Sequence, residues 1–76
     1  MTDEEIFDDI KSKLTHYDVI KGAIRDKEKP MGFLLTYMKD VYGIPKTRGF
    51  HIAERLLDLY HIVNERYDKE SLSGDV

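Results

Sequence analysis

Pro30-Met31-Gly32-Phe33-Leu34-Leu35-Thr36-Tyr37-Met38-Lys39-Asp40-Val41-Tyr42-Gly43-Ile44-Pro45 is the stretch on which the fold turns. From Met31 to Tyr42, only Gly32, Thr36, Lys39 and Asp40 are not large and apolar or aromatic. Its ends are marked as helix ends. Proline suits the first helical position, where a missing N–H costs nothing. Gly43 suits the left-handed position after the last turn, and Pro45 forbids continuation. At about 100° per residue, Met31, Leu34, Leu35, Met38, Val41 and Tyr42 form one ridge, and Phe33 and Tyr37 widen it to an arc of roughly 200°. An ordinary surface helix shows about half of that. Such a helix is either the centre of the core, or it turns Phe33 and Tyr37 towards another chain.

Working outward, the same stripe spacing predicts a small all-α four-helix bundle. Thr2 with Glu5 makes a capping-box signature for a first helix over 3–14, carrying Ile6, Phe7, Ile10 and Leu14 inward. Thr15 with Asp18 repeats the signature and opens a second helix over 16–28, with Val19, Ile20, Ala23 and Ile24 as its stripe. Phe7, Ile10, Leu14, Tyr17 and Ile24 also fit one continuous helix from Asp3 to about Lys27, because neither Gly nor Pro stands near Thr15. The third helix spans 31–42. After the turn at Gly43, a last helix is predicted over 47–68 with Phe50, Ala53, Leu56, Leu57, Tyr60, Val63 and Tyr67 inward and Ile52 and Leu59 broadening the side. So short a turn makes the last two helices an antiparallel hairpin. The domain is expected to occupy 1–68, and the unpatterned stretch 69–76 is expected to be a disordered tail.

Composition narrows the function. The chain has 76 residues, no cysteine and a formal net charge of −3. Disulfide frameworks and thiolate zinc sites are therefore out of reach. No apolar run approaches the roughly 20 residues of a membrane-spanning helix, and the acidic N-terminus is unlike a secretory signal, so a cytoplasmic protein is expected. Charge is unevenly distributed. Residues 1–10 sum to −5, 11–30 to +3, 31–50 to +2 and 51–76 to −3. Such segregation suits a solvated surface whose two signs complement each other within the fold.

No pattern with a catalytic mechanism appears. Ser12, Ser71 and Ser73 have no nucleophile setting, no glycine-rich phosphate loop is present, and His16, His51 and His61 suggest no triad. Glu54, Asp58, His61 and Glu65 share one strip of the last helix, but the strip lies opposite Leu56 and Val63, whereas bundle metal ligands point inward. Neither enzyme activity, cofactor nor metal is expected.

Two binding readings remain. The first is a protein-interaction module acting stoichiometrically, with Phe33, Tyr37, Leu59 and Ile62 as contact residues, since aromatic anchors dominate interfaces. Size and acidity suggest a regulatory or inhibitory accessory protein of bacterial or phage type, self-associating as a homodimer; that step is analogy. The alternative is a helix-turn-helix-like regulator of nucleic acid. Lys46 and Arg48 would then meet phosphate at the helix start, with Arg48, His51 and Arg55 along one exposed strip. Net acidity and the length of the last helix count against it.

Overall fold

The computed structural model describes residues 1–62. They form four helices and, among the described residues, no strand: α1 (Asp3–Lys13), α2 (His16–Arg25), α3 (Pro30–Tyr42) and α4 (Lys46–Leu59). The architecture is the small all-α bundle expected. None of these helices is long and apolar enough to cross a membrane. The predicted tail 69–76, and residues 63–68 of the predicted last helix, lie outside the described residues.

The first two helices are separate. Leu14 and Thr15 are both extended, at φ −115°, ψ 134° and φ −96°, ψ 171°. No Gly or Pro forces this break. A capping box holds it: the Asp18 amide donates to Thr15 Oγ1 at 3.1 Å, and the Thr15 amide donates to the Asp18 carboxylate at 2.9 Å. Two amides that would otherwise lack intrahelical acceptors are thereby satisfied. Thr2 and Glu5 make the same reciprocal pair at the start of α1.

Two helices stop earlier than the apolar spacing predicted. α2 ends at Arg25 because Lys27 takes a left-handed φ of 57°, and the Glu28 amide closes back on the Ala23 carbonyl at 2.8 Å. α4 ends at Leu59 in the same manner: His61 has φ 59°, and the Ile62 amide returns to the Leu57 carbonyl at 2.9 Å. Both are helix-closing turns of the kind that glycine usually occupies. Periodicity could not reveal them, since neither turn contains a glycine. At Gly43, by contrast, φ is 69° and the expected glycine stands there. The turn folds Ile44 back until it is 3% exposed.

Ile10, Leu34, Met38, Ile52, Leu56 and Leu57 are the centre of the core, each 2% exposed or less. α3 packs on both α2 and α4, and α1 lies against α4. Buried Gly49 of α4 faces Leu35 and Met38 of α3 across the hairpin, and a methyl there would meet both at ordinary contact distance, 3.6 Å. Asp3 meets Arg48, Glu4 meets Arg55, and Leu14 meets Tyr60. These contacts climb both helices in the same order, so α1 runs parallel to α4.

The helices are rotated from the orientation the stripes predicted. Ile24, Val41 and Phe50, expected inside, are 71%, 51% and 40% exposed, while Phe33, at the edge of its arc, is buried and Ile52 is buried as expected. For α2 the reason lies in Gly22. With no side chain there, α2 turns this position towards α3 and receives the Phe33 ring. A methyl at Gly22 would come within 2.5 Å of Phe33 Cζ. Ile24 is carried outward by that rotation.

Candidate functional site

The groove side of α2 and α3 is built around one aromatic pair. Phe33 and Tyr37 are one turn apart on α3, their ring centroids 6.3 Å apart and tilted by 34°. Phe33 is seated on Gly22 and Tyr37 is half-buried, its ring also in edge contact with Tyr42 at 6.3 Å. Two open hollows share Phe33, Tyr37 and Arg25 as lining. The larger, about 380 Å³, is completed by Leu14, Asp18, Lys21 and Gly22. The smaller, about 200 Å³, is completed by Asp26, Thr36, Asp40 and Val41. Both are open to the surface rather than enclosed.

Electrostatics around the hollows are mostly settled within the chain. Asp18 is held by Thr15, which lowers its carboxyl below the usual range by backbone and side-chain hydrogen bonds. Asp26 pairs with Arg25 through Nε at 2.9 Å, and that hydrogen bond lowers its carboxyl as well. The Lys21 ammonium adds to the lowering of the Asp18 carboxyl three residues before it, and stands 5.7 Å from the Tyr17 ring, whereas Asp40 makes no ion pair among the described residues.

Behind the aromatic pair, the Tyr42 hydroxyl donates to Asp9, and Lys13 Nζ donates to the same carboxylate oxygen at 3.0 Å. The Tyr42 bond, then the Lys13 bond, holds the Asp9 carboxyl below the usual range. Burial, followed by the Asp9 hydrogen bond, pushes the Tyr42 phenol well above its ordinary value. At the other end of the bundle, the Tyr60 hydroxyl donates to the Leu14 carbonyl, and His16 Nδ1 lies 2.9 Å from the Tyr60 carbonyl oxygen. That ring nitrogen must carry the hydrogen, since a carbonyl can only accept.

The basic strip of α4 is largely occupied. Arg48 Nε donates to Asp3 at 2.6 Å and Arg48 Nη2 to the Met1 carbonyl at 3.1 Å. Arg55 grips both carboxylate oxygens of Glu4 at 2.9 Å, and its guanidinium stands 4.2 Å from the centre of the Phe7 ring. The fork geometry of Arg suits such a bidentate contact. The hydrogen bond from Arg55 lowers the Glu4 carboxyl below the usual range. Lys46 and His51 are exposed, with His51 Nδ1 4.0 Å from Glu54. The acidic first turn of α1 therefore occupies the positions that phosphates would take on Arg48 and Arg55.

Of the four residues predicted to contact a partner, Phe33 and Tyr37 are brought together, with Phe33 buried and Tyr37 the more accessible. Leu59, 43% exposed, stands one turn past Arg55, and Ile62 folds back on the core. Neither lines the hollows beside Phe33. On the acidic strip, Glu54 and Asp58 are exposed, His61 has left the helix, and Glu65 lies outside the described residues. No group of three or more metal-binding side chains comes together among the described residues. Gly22, Lys21, Asp40 and Val41 were not singled out by motif. The available signal was Gly22 itself, a glycine inside an apolar stripe, which often marks close packing. Comparison with protein-family models, with curated proteins and with solved structures finds no match.

Proposed function

We propose that this protein acts by binding another protein chain stoichiometrically, through the face formed by Phe33 and Tyr37 between the two hollows, and that its role is that of a regulatory or inhibitory accessory protein. The observation that carries the reading is the half-buried Tyr37, backed by buried Phe33 and flanked by apolar hollows with a charged rim. An aromatic side chain held rigidly beside depressions, with polar groups around it, is the usual anatomy of an interface anchor. The nucleic-acid reading loses support from the pairing of Arg48 with Asp3 and of Arg55 with Glu4.

The test compares three baits in capture from cells that make the protein: the unaltered chain, Tyr37→Arg, and Lys46→Glu as a surface control. Circular dichroism first establishes that all three are equally helical. The reading expects a partner retained in fixed ratio by the unaltered chain and the control, and lost with Tyr37→Arg. Retention indifferent to Tyr37 would refute it. Duplex DNA and RNA titrated at low salt should bind weakly, whereas tight binding with a steep salt dependence would favour the α4 strip.

A further inference from the structure

We propose that the larger hollow beside Tyr37 is a docking site for a segment of this same chain, residues 63–68 with Tyr67 as the group it receives, so that the protein shields its own partner-binding face. The inference rests on the reading of that face as a protein interface and goes on to its regulation.

The end of α4 delivers the chain to one end of this hollow. Past the left-handed His61, the Ile62 amide returns to the Leu57 carbonyl at 2.9 Å and the Ile62 side chain packs on the core, so the path is fixed as far as Ile62. Just before it, the Tyr60 hydroxyl donates to the Leu14 carbonyl, and His16 Nδ1 lies 2.9 Å from the Tyr60 carbonyl oxygen. Leu14 belongs to the lining of the larger hollow. Burial, and after it the nearby Asp18 and Tyr37, raise the Tyr60 phenol above its ordinary value, and both of those neighbours line the hollow as well.

Reach and chemistry then select the occupant. The hollow follows α2 from Asp18 to Arg25, roughly 10 Å of helix. The five residues from Ile62 to Tyr67 can span about 16 Å when extended, so Tyr67 is within reach of its whole length. Leu14, Gly22 and Phe33 give the hollow an apolar lining with Tyr37 beside them, a surface on which an aromatic ring finds ring partners. Val63 and Tyr67 are the apolar residues that follow Ile62, and the left-handed His61 ends the helical register in which their spacing pointed to the core. Charge is compatible, since Asp18, Lys21 and Arg25 sum to +1 and Glu65, Arg66 and Asp68 to −1. Arg25 also pairs with Asp26, so the position of the exit, rather than charge, selects the segment. A segment on so short a tether acts at an effective concentration of order millimolar, above that of any free partner. A foreign chain must therefore displace it.

The experiment places a nitroxide label on Lys69→Cys in the full-length protein, which has no other cysteine. Amide signals of Asp18, Lys21, Gly22 and Arg25 should lose most of their intensity to the label, whereas those of Lys46 and Arg48, at the far end of α4, should keep theirs. Adding Tyr67→Ser should restore the lost intensity. Circular dichroism checks that helicity is unchanged, and if Tyr67→Ser lowers it, the labelled chain with Tyr67 intact still decides. In capture from cells, Tyr67→Ser should raise the amount of protein retained through Tyr37 about threefold at limiting bait, the gain for a face otherwise covered about two-thirds of the time.

Equal intensity at both ends of the bundle, or broadening that survives Tyr67→Ser at unchanged helicity, would overturn the proposal, and so would capture that Tyr67→Ser leaves unchanged or weakens. The interface reading is judged separately, by Tyr37→Arg. If broadening is absent while capture still depends on Tyr37, the face is an interface without an internal cover. If capture is indifferent to Tyr37, the interface reading falls even where the label shows the segment on the hollow, and the regulatory proposal falls with it.

Discussion

Replacing Gly22 by alanine should separate a seated Phe33 from a free one. In an ordinary helix the change stabilises by about 1 kcal/mol, since alanine is the better helix former. Here the new methyl would lie 2.5 Å from Phe33 Cζ. Carbon atoms rest at about 3.5–4.0 Å, so the ring must retreat by about 1 Å or more. Overpacking of this kind costs about 1–3 kcal/mol, which leaves a net loss of about 1 kcal/mol after the helix gain. In a Phe33→Leu background the ring is absent and the helix gain should reappear, so Gly22→Ala changes sign. The coupling between the two sites is then about 2 kcal/mol, well above the 0.3–0.5 kcal/mol scatter of independent sites. Urea unfolding of the four chains in the cycle measures it, and thermal midpoints should move by roughly 4–8 °C per kcal/mol. If Gly22→Ala stabilises both backgrounds equally, Phe33 is not held in the notch, and the account of why α2 is rotated collapses.

Three further expectations follow from the helix ends and the titrating groups. Thr15→Ala removes one side of the capping box and should cost about 1 kcal/mol in urea unfolding; a rise in helix content by circular dichroism instead would mean that α1 and α2 fuse when the cap is lost. Lys27→Gly and His61→Gly each relieve a left-handed backbone at φ 57° and 59°, and each should raise stability by about 0.5–1 kcal/mol; destabilisation by either would show that the side chain is needed where it stands. Glu4, Glu5, Asp9, Asp18 and Asp26 are all held below their ordinary values by hydrogen bonds. Their contribution is therefore complete above the unfolded carboxylate range, near pH 4, and is lost as pH falls below it. Burial raises Tyr42 and Tyr60, so their contribution holds below about pH 10 and is lost above it. The urea midpoint should accordingly fall at both extremes, and a midpoint that rises on acidification below pH 4 contradicts the assignment.

What could be read from the residues, and what could not, follows from the range of each interaction. Capping boxes, the proline start of α3 and the glycine stop at Gly43 are local signals contained within four residues, and each lies where it was expected. Helix existence and class follow from them. The ends at Lys27 and His61 were missed because the left-handed conformation falls there on residues that seldom adopt it. The rotations of α2, α3 and α4 were missed for a different reason. A helix wheel ranks positions by apolarity and gives glycine no weight, yet the contact that orients α2 is the notch at Gly22 receiving a ring from another helix. Phe33 and Tyr37 were identified from excess apolar arc alone. The hollows beside them, and the charges left over at their rim, depend on which side chains are already paired across the fold.

That last dependence links the charge pattern to function. The chain is segregated, acidic at its N-terminus and basic at the start of α4, and a sequence reader sees in the second feature a phosphate-binding surface. In the fold, Asp3 and Glu4 take up Arg48 and Arg55, and the stacking of Arg55 on Phe7 anchors the same pair of helices. The strongest charge features of the sequence thus hold α1 to α4. On the proposed reading, recognition falls to Tyr37 beside the two hollows, a face that this pairing leaves out. For this reason the Tyr37→Arg variant bears on function more directly than any truncation of Phe33, which is 8% exposed and whose removal would empty the core along with the interface. Tyr37 is only partly buried at the edge of the core, so a loss of capture by Tyr37→Arg at unchanged helicity is a loss of contact.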